Sequence, residues 1–290
     1  MGRPGDPGSP RRRGSMDQKV FERFSRIAYQ EAGIHLSEAK KTLVSSRISK
    51  RMRALGLSRE MDYLALLEKD PKGEEKNRFL DAITTNYTRF MREGDHFQFL
   101  SEWAKRAERQ GKTRFRIWCA AAASGEEPYS IAVTMLEALG NRKADLKILA
   151  TDISEESLAQ AKEGVYSLQA VQPLTKAQKI KYFEKEKGRE GETLFRVKRE
   201  VREIILFRKL NLAKPPYPLK GPLDAIFCRN VMIYFQNHTR QGIVREAERL
   251  LRPAGLFIIG HSDTLAGVQT ELVTIRPSLF MKRAEGRHTN

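Results

Sequence analysis

The sequence predicts an all-helical domain followed by an α/β domain with a mostly parallel sheet and a small antiparallel insertion. Three observations predict it. Residues 17–86 carry apolar positions at helical spacing and no strand-like run. From about Asp95 onward, short apolar runs alternate with helical patterns. Between Phe183 and Glu203 that alternation breaks at a charged, turn-rich stretch, Lys187-Gly188-Arg189-Glu190-Gly191.

Residues 1–16 read as a disordered tail or leader, since MGRPGDPGSPRRRGS is rich in Gly, Pro and Arg with no apolar pattern. The first helix is marked by Val20, Phe21, Phe24, Ile27 and Ala28. The second spans about Ser37 to Leu55, with Ser37 as N-cap and Gly56 as its stop. Its apolar face is Leu43, Val44, Ile48 and Met52, and its other face carries Lys40, Lys41, Arg47, Lys50, Arg51 and Arg53. Almost no acid interleaves after Glu38, so this stripe is either a solvated face or a docking face for an acidic partner. Helices over 61–68 and 74–85 complete the domain, and residues 87–94 form a linker. In the domain at 95–285, strands are expected at 115–120, 147–151, 204–208, 224–228 and 256–260. Helices are expected at 95–109, 127–139, 154–163, 175–184 and 238–251. The insertion covers 186–203, with Leu194–Val197 pairing with a strand near Val201.

At 290 residues the chain holds two domains. Its 53 Lys and Arg against 36 Asp and Glu give a net charge of +17, which suits nucleic acid or a strongly acidic protein surface and does not choose between them. No apolar run reaches the ~20 residues of a membrane span, and no signal peptide follows Arg11-Arg12-Arg13. Cys119 and Cys228 lie in apolar runs without metal-ligand spacing and read as reduced, buried thiols. No metal is expected.

The densest signal is Ile117–Ser130, IWCAAAASGEEPYS: a short strand, a run of alanines, a turn at Ser124-Gly125, and a helix start at Glu126-Glu127-Pro128. Ser124 and Glu127 have capping-box spacing, and Pro128 suits a first helical turn. Such a unit cradles nucleotides in open α/β sheets, because small residues let a ligand approach the backbone. Asp152 ends the next strand, 27 residues beyond Gly125, near the spacing at which an acid takes ribose hydroxyls. With a single glycine in the loop, a pyrophosphate clamp is disfavoured, and a nucleoside without phosphates such as S-adenosylmethionine fits better. Alternatively, Glu126, Glu127 and Asp152 merely cap helices.

Two further segments carry recognition-type side chains. Thr84–Glu93, TTNYTRFMRE, packs Asn, Thr and Arg among aromatics at the domain junction. In Asp224–Phe235, Arg229 and Asn230 follow a buried strand at its C-terminal end, with Tyr234 four residues beyond Asn230. Asn211-Leu212 ends the preceding strand, where Leu212 suits an adenine ring.

TTNYTRFMRE, AAAASGEEPYS, LATDIS, NLAK and FCRNVMIYF, in this order, closely resemble the CheR family of bacterial chemotaxis receptor methyltransferases, over about residues 17–283. The resemblance implies a helical N-terminal domain for receptor docking and a Rossmann-like catalytic domain with an inserted β-subdomain. It implies S-adenosylmethionine as cofactor, S-adenosylhomocysteine as product, and glutamate methyl esters formed on the cytoplasmic helices of chemoreceptors. Carried over by motif, Asn86, Thr88, Arg92, Glu127, Asp152, Asn211, Leu212, Cys228, Arg229 and Asn230 line the cofactor site, with Arg92 and Tyr234 near the transferred methyl group. On this resemblance, Arg47, Lys50, Arg51 and Arg53 are expected to dock receptor helices, and a receptor C-terminal peptide is a candidate ligand of the β-subdomain. The protein is then a cytoplasmic monomer that neither enters the membrane nor binds nucleic acid. A glutamate side chain, with an ordinary pKa near ~4.3, is already a nucleophilic carboxylate at neutral pH. No general base is needed, and His96 and His261 are read as structural. The rival readings are a methyltransferase for another protein or for nucleic acid, and a non-catalytic S-adenosylmethionine-binding module.

Overall fold

The computed structural model describes residues 16–84, 88–140 and 144–284. The chain divides between Thr84 and Thr85 into two compact units.

The first unit is helical. Helix α1 (Gln18–Ala32) starts because the Asp17 carboxylate accepts from the Lys19 and Val20 N–H groups, and it stops at Gly33, which is left-handed at φ 67°. Met16, which the sequence reading assigns to the tail, is 2% exposed. A 3-10 turn (Glu38–Lys40) precedes α2 (Lys41–Ala54), so the helix expected from Ser37 begins later, and Ser37 makes no side-chain cap bond. Helices α3 (Glu60–Glu68) and α4 (Glu74–Ile83) follow. Phe24 packs against Tyr63 and Phe79, with ring centroids 6.0 and 5.7 Å away. Beside these rings lies a buried polar group. Arg51 grips Glu75 with two bonds, Nε–Oε1 at 2.7 Å and Nη2–Oε2 at 2.5 Å, and the Tyr63 hydroxyl donates to Glu75 Oε1 at 2.8 Å.

The second unit is α/β. Helix α5 (Gly94–Arg109) leads into β1 (Arg114–Cys119), α6 (Glu126–Leu139), β2 (Asp145–Asp152) and α7 (Glu155–Glu163). After β3 (Val165–Ser167), α8 (Lys176–Tyr182), β4 (Phe183–Lys187), β5 (Thr193–Val197) and α9 (Arg199–Arg202) comes β6 (Ile205–Lys209). Then follow β7 (Leu223–Cys228), α10 (Asn237–Leu250), β8 (Leu251–Ile259), β9 (Val273–Arg276) and β10 (Leu279–Met281). The main sheet has the order β6-β2-β1-β7-β8-β10-β9, with its first five strands parallel. Alternate residues serve opposite faces: Phe115, Ile117 and Cys119 join the cluster with α5 and α6, whereas Trp118 and Ala120 join the cluster with α10. Both faces are therefore covered, as parallel sheets require.

The small sheet has the order β3-β5-β4, all antiparallel. It differs from the expected insertion at both ends. It begins at Val165, well before 186, and Leu194–Val197 pairs with Val165–Ser167 and Phe183–Lys187 rather than with a strand near Val201. Val201 lies in α9 and is fully buried.

Candidate functional site

In the main sheet the chain runs one way from β1 through β2 to β6 and the other way from β7 to β8. The carboxyl ends of β1 and β7 flank the point of reversal, where open α/β sheets form a crevice. Four of the predicted segments meet there. The Ala120 N–H donates to Phe227 O, and the Ala122 N–H donates to Thr151 O, so the alanine loop is laced to both neighbouring strands. Asp152 stands at the end of β2, where its Oδ2 accepts from the Ala123 N–H (2.8 Å) and its Oδ1 from the Ser154 N–H (3.0 Å). Asn211 follows β6, with its side-chain oxygen accepting from the Ala213 N–H. Arg229 and Asn230 follow β7. Ala121, Ala123, Asp152, Asn211 and Asn230 all keep a half-exposed surface along this edge.

The predicted capping box does not form. The N-cap of α6 is Gly125, at φ 99°, and the Ser124 hydroxyl donates to the Glu126 carboxylate instead. Glu127 turns into the protein, where it accepts from Arg229 Nη1 at 2.7 Å and from the Cys119 thiol at 3.3 Å. Pro128 does sit in the first turn.

Segment 88–93 reaches the same edge. Phe90 is fully buried against Tyr166 and Phe183, and the Met91 N–H donates to Ser130 Oγ. Arg229 Nη2 donates to Arg92 O (2.5 Å) and to Glu93 Oε2 (2.9 Å), and the Asn230 amide donates to Glu93 Oε1. Thr88 and Arg92 are half-exposed. Asn86 lies outside the described residues. Beyond Asn230, a 3-10 turn (Met232–Tyr234) carries half-exposed Tyr234.

Two predicted site residues have no side chain to offer a ligand. Cys228 is 1% exposed, within the apolar cluster on the α10 face, so only its backbone faces the crevice. Leu212 is 6% exposed, packed in the same cluster with Trp118 and Tyr217. Its carbonyl accepts from the Tyr217 hydroxyl. An adenine ring would find little of that side chain to cover.

The basic stripe of α2 also changes. Arg51 is engaged with Glu75, and Arg47 Nη1 donates to the Ala82 and Thr84 carbonyls. These two arginines bind the helical unit together. Lys50 and Arg53 remain exposed.

The acids gathered at this edge are desolvated. Burial pushes Glu126, Glu127, Asp152 and Asp263 above the usual carboxylate range, outweighing the donors that each accepts from. Burial also pushes Glu93 upward, but the Arg229 guanidinium and the Asn230 amide outweigh it and hold the group down to about 2. Arg229, whose side chain is 0% exposed, answers both Glu127 and Glu93, so two buried acids share one cation. An ammonium or sulfonium group is the complement of such a site.

Two residues to which the sequence reading gives no site role organise the turn after β7. Asp263 accepts from the Asn230, Gly260 and Ile233 N–H groups, pinning the backbone that leads to Tyr234. Glu93 holds the side chains of that turn. Burial and the nearby Arg229 charge lower His96 to about 4, so it is neutral at pH 7. Glu93, His96 and His261 bring ligand-type atoms within 4.8 Å of one another. Glu93's oxygens are already taken by Arg229, Asn230 and the His261 N–H, and a guanidinium stands beside them, so the cluster is a poor cation site.

Known proteins give the same picture. The family model "CheR methyltransferase, SAM binding domain" matches residues 86–279, and "CheR methyltransferase, all-alpha domain" matches residues 19–84. The chemotaxis protein methyltransferase of Salmonella typhimurium is 42% identical over 87% of this chain and 85% of its own length. That of Escherichia coli is 42% identical over 86% of this chain and 85% of its own. Chemotaxis protein methyltransferase 2 of Pseudomonas aeruginosa is 42% identical over 85% of each.

Proposed function

This chain belongs to the CheR methyltransferase family, and from that premise we propose that it methylates glutamate side chains of chemoreceptors, forming methyl esters. It is an S-adenosylmethionine-dependent methyltransferase of chemotaxis. Among the described residues no helix is long and apolar enough to cross a membrane. The enzyme acts as a monomer in the cytoplasm, on the cytoplasmic helices of receptors, and the small β3-β5-β4 sheet takes a receptor tail peptide.

The observation that supports the reading is the meeting of the alanine loop, Asp152 and the Arg229–Asn230 turn at the carboxyl ends of β1, β2 and β7. When bound, S-adenosylmethionine supplies an electrophilic methyl group on a sulfonium. Asp152 would accept from the ribose hydroxyls, and Glu127 would favour the ammonium group. Asn86, Thr88, Arg92, Asn211, the Cys228 backbone and Asn230 would complete the lining, and buried Arg229 would hold it from behind. Arg92 and the Tyr234 hydroxyl would hold the two oxygens of the incoming carboxylate, one to each, and so orient it for attack. No proton has to move, since the carboxylate is already ionised. Orientation of this kind supplies up to roughly 7–11 kcal/mol of barrier reduction.

The test is transfer of labelled methyl from S-adenosylmethionine to receptor cytoplasmic fragments. Base-labile label mapped to glutamates is expected. Label resistant to base, or found on nucleic acid, removes the ester reading. Tyr234→Phe is expected to lower kcat about tenfold, the scale of one hydrogen bond to a charged group, with S-adenosylhomocysteine affinity changed less. An equal loss in both makes Tyr234 a binding residue.

Lys50 and Arg53 are the docking charges on α2. Reversing both to Glu is expected to raise the KM for receptor several-fold and to flatten its salt dependence, leaving S-adenosylhomocysteine affinity unchanged. Receptor kinetics identical to wild type at low and high salt would leave these side chains merely solvated.

A further inference from the structure

The backbone around Arg92 is unusual. Met91 and Glu93 both have positive φ, 55° and 57°, so Arg92 is held between two left-handed residues. Asn230, on the facing turn, is left-handed too, at 55°. Strain of this kind persists only where the surroundings over-determine it, and it gathers at functional sites. Here the surroundings converge on one carboxylate. Glu93 Oε2 accepts from Arg229 Nη2 at 2.9 Å and from the His261 N–H at 3.1 Å, and Oε1 accepts from the Asn230 amide at 3.1 Å. Arg229 Nη2 also reaches the Arg92 carbonyl, so a single guanidinium nitrogen bridges Glu93 to its neighbour.

Three ordinary roles for Glu93 fail. It precedes α5 at the N-cap position, yet its side chain caps nothing there. It is a poor metal ligand, for the reasons given above. It is a poor general base, because the donors around it keep it ionised far below neutral pH. What remains is the geometry: one acid ties the loop that carries Arg92 to the turn that leads to Tyr234.

We propose that Glu93 is a positioning residue for methyl transfer, its carboxylate fastening the Arg92 loop to the Arg229–Asn230 turn so that Arg92 is presented to the substrate carboxylate in one orientation. The inference rests on the reading that Arg92 and Tyr234 hold that carboxylate. Glu93 touches neither substrate nor cofactor in this scheme. It acts through Arg92.

The experiment is a double-mutant cycle of Glu93→Gln and Arg92→Ala, read as kcat, as KM for receptor fragments and as S-adenosylhomocysteine affinity. It is carried out at a temperature where circular dichroism shows each variant folded. Glutamine keeps the size of Glu93 but turns an N–H toward one of the three donors, so one tie is broken. A displacement of about 1 Å in an orienting group costs roughly 100-fold in rate. Glu93→Gln is therefore expected to lower kcat about 10- to 100-fold, with KM and S-adenosylhomocysteine affinity within about threefold of wild type. Added to Arg92→Ala, it is expected to cost nothing more, because residues that act through one another are non-additive. Losses that multiply, or a loss confined to cofactor affinity, would overturn the proposal. An Arg92→Ala variant with full kcat removes the underlying reading of Arg92. One that loses kcat while Glu93→Gln keeps it removes only the role of Glu93. Should Glu93→Gln not fold, Glu93→Asp takes its place in the cycle. It keeps the charge beside Arg229 but falls one methylene short of Asn230, so the same non-additive loss of kcat is expected, and full activity would overturn the proposal.

Discussion

Replacing Arg229 by Met is expected to lower the free energy of unfolding by about 3–5 kcal/mol at pH 7.5, the scale for breaking a buried ion pair by removing one partner. Methionine keeps most of the volume over the Phe97 ring, which lies 5.4 Å from the guanidinium carbon. What it removes is the only cation that answers both Glu93 and Glu127 in the buried trio. Two carboxylates that repel each other are then left in a desolvated space. The pH dependence gives the sign. In the wild type Glu93 is held down to about 2. Its contribution is complete above the ordinary glutamate pKa of ~4.3 and is lost as pH falls from there toward 2. In the variant both carboxylates lose the Arg229 guanidinium, leaving Glu93 only the more distant Arg92 Nε at 3.9 Å, so the folded variant binds protons more readily than the folded wild type. The deficit between variant and wild type is therefore expected to narrow as pH falls from about 7 toward 4. Urea unfolding at pH 7.5 and pH 5 checks both statements. A deficit under about 1 kcal/mol at pH 7.5, or one that widens at pH 5, would show that the trio is not the electrostatic lock described.

The strands at the heart of the sheet were legible because each is a compact apolar run. Those expected at 115–120, 147–151, 204–208 and 224–228 correspond to β1, β2, β6 and β7 within one or two residues. What escaped was short or exposed. Val165–Ser167 has three residues and no periodicity, and Val273–Arg276 is exposed along its whole length, so neither leaves an alternation to read. At the site, the motif segments were legible but their wiring was not. Ser124 and Glu127 have capping-box spacing, yet backbone conformation decides caps, and the left-handed Gly125 takes that position. Arg51 looked like one more charge on a basic face because its partner, Glu75, lies 24 residues away on another helix. Glu93 sits beside Arg92 in a segment that was singled out, and an acid next to a candidate catalytic arginine was the available signal. Its donors are 136, 137 and 168 residues distant, and no local pattern reports them. Asp263 was unreadable for the same reason: its three N–H partners come from two loops that only the sheet brings together.

Gly125→Ala is expected to be as damaging as Arg229→Met, for a reason the sequence placed elsewhere. The alanine loop was read as small so that a ligand could approach it. At Gly125 the close neighbour is the protein itself. A Cβ there would lie 2.7 Å from the Tyr166 hydroxyl, 2.9 Å from Ala161 Cβ and 3.0 Å from Ala161 Cα. Neither neighbour yields easily. The tyrosine hydroxyl is tied to Ser124 O at 2.8 Å, and Ala161 is part of α7. The φ of 99° adds its own strain, since a side chain with a Cβ loses about 1–2 kcal/mol in left-handed conformations. Overpacking adds about 1–3 kcal/mol. A loss of about 2–5 kcal/mol in unfolding free energy is expected. The loop relieves the clash by moving away from α7, and the first contact at risk is the Ala123 N–H on Asp152. Folded Gly125→Ala protein is therefore expected to bind S-adenosylhomocysteine at least about tenfold more weakly, the loss of one charge-assisted hydrogen bond. Ala161→Gly, introduced alongside, removes the Cβ at 2.9 Å without altering φ, so it should recover part of the cofactor affinity and none of the backbone strain. Unfolding and calorimetric titration of the single and double variants measure these terms. If Gly125→Ala stays within about 1 kcal/mol of wild type and binds normally, the turn is open enough that neither α7 nor the left-handed backbone constrains it.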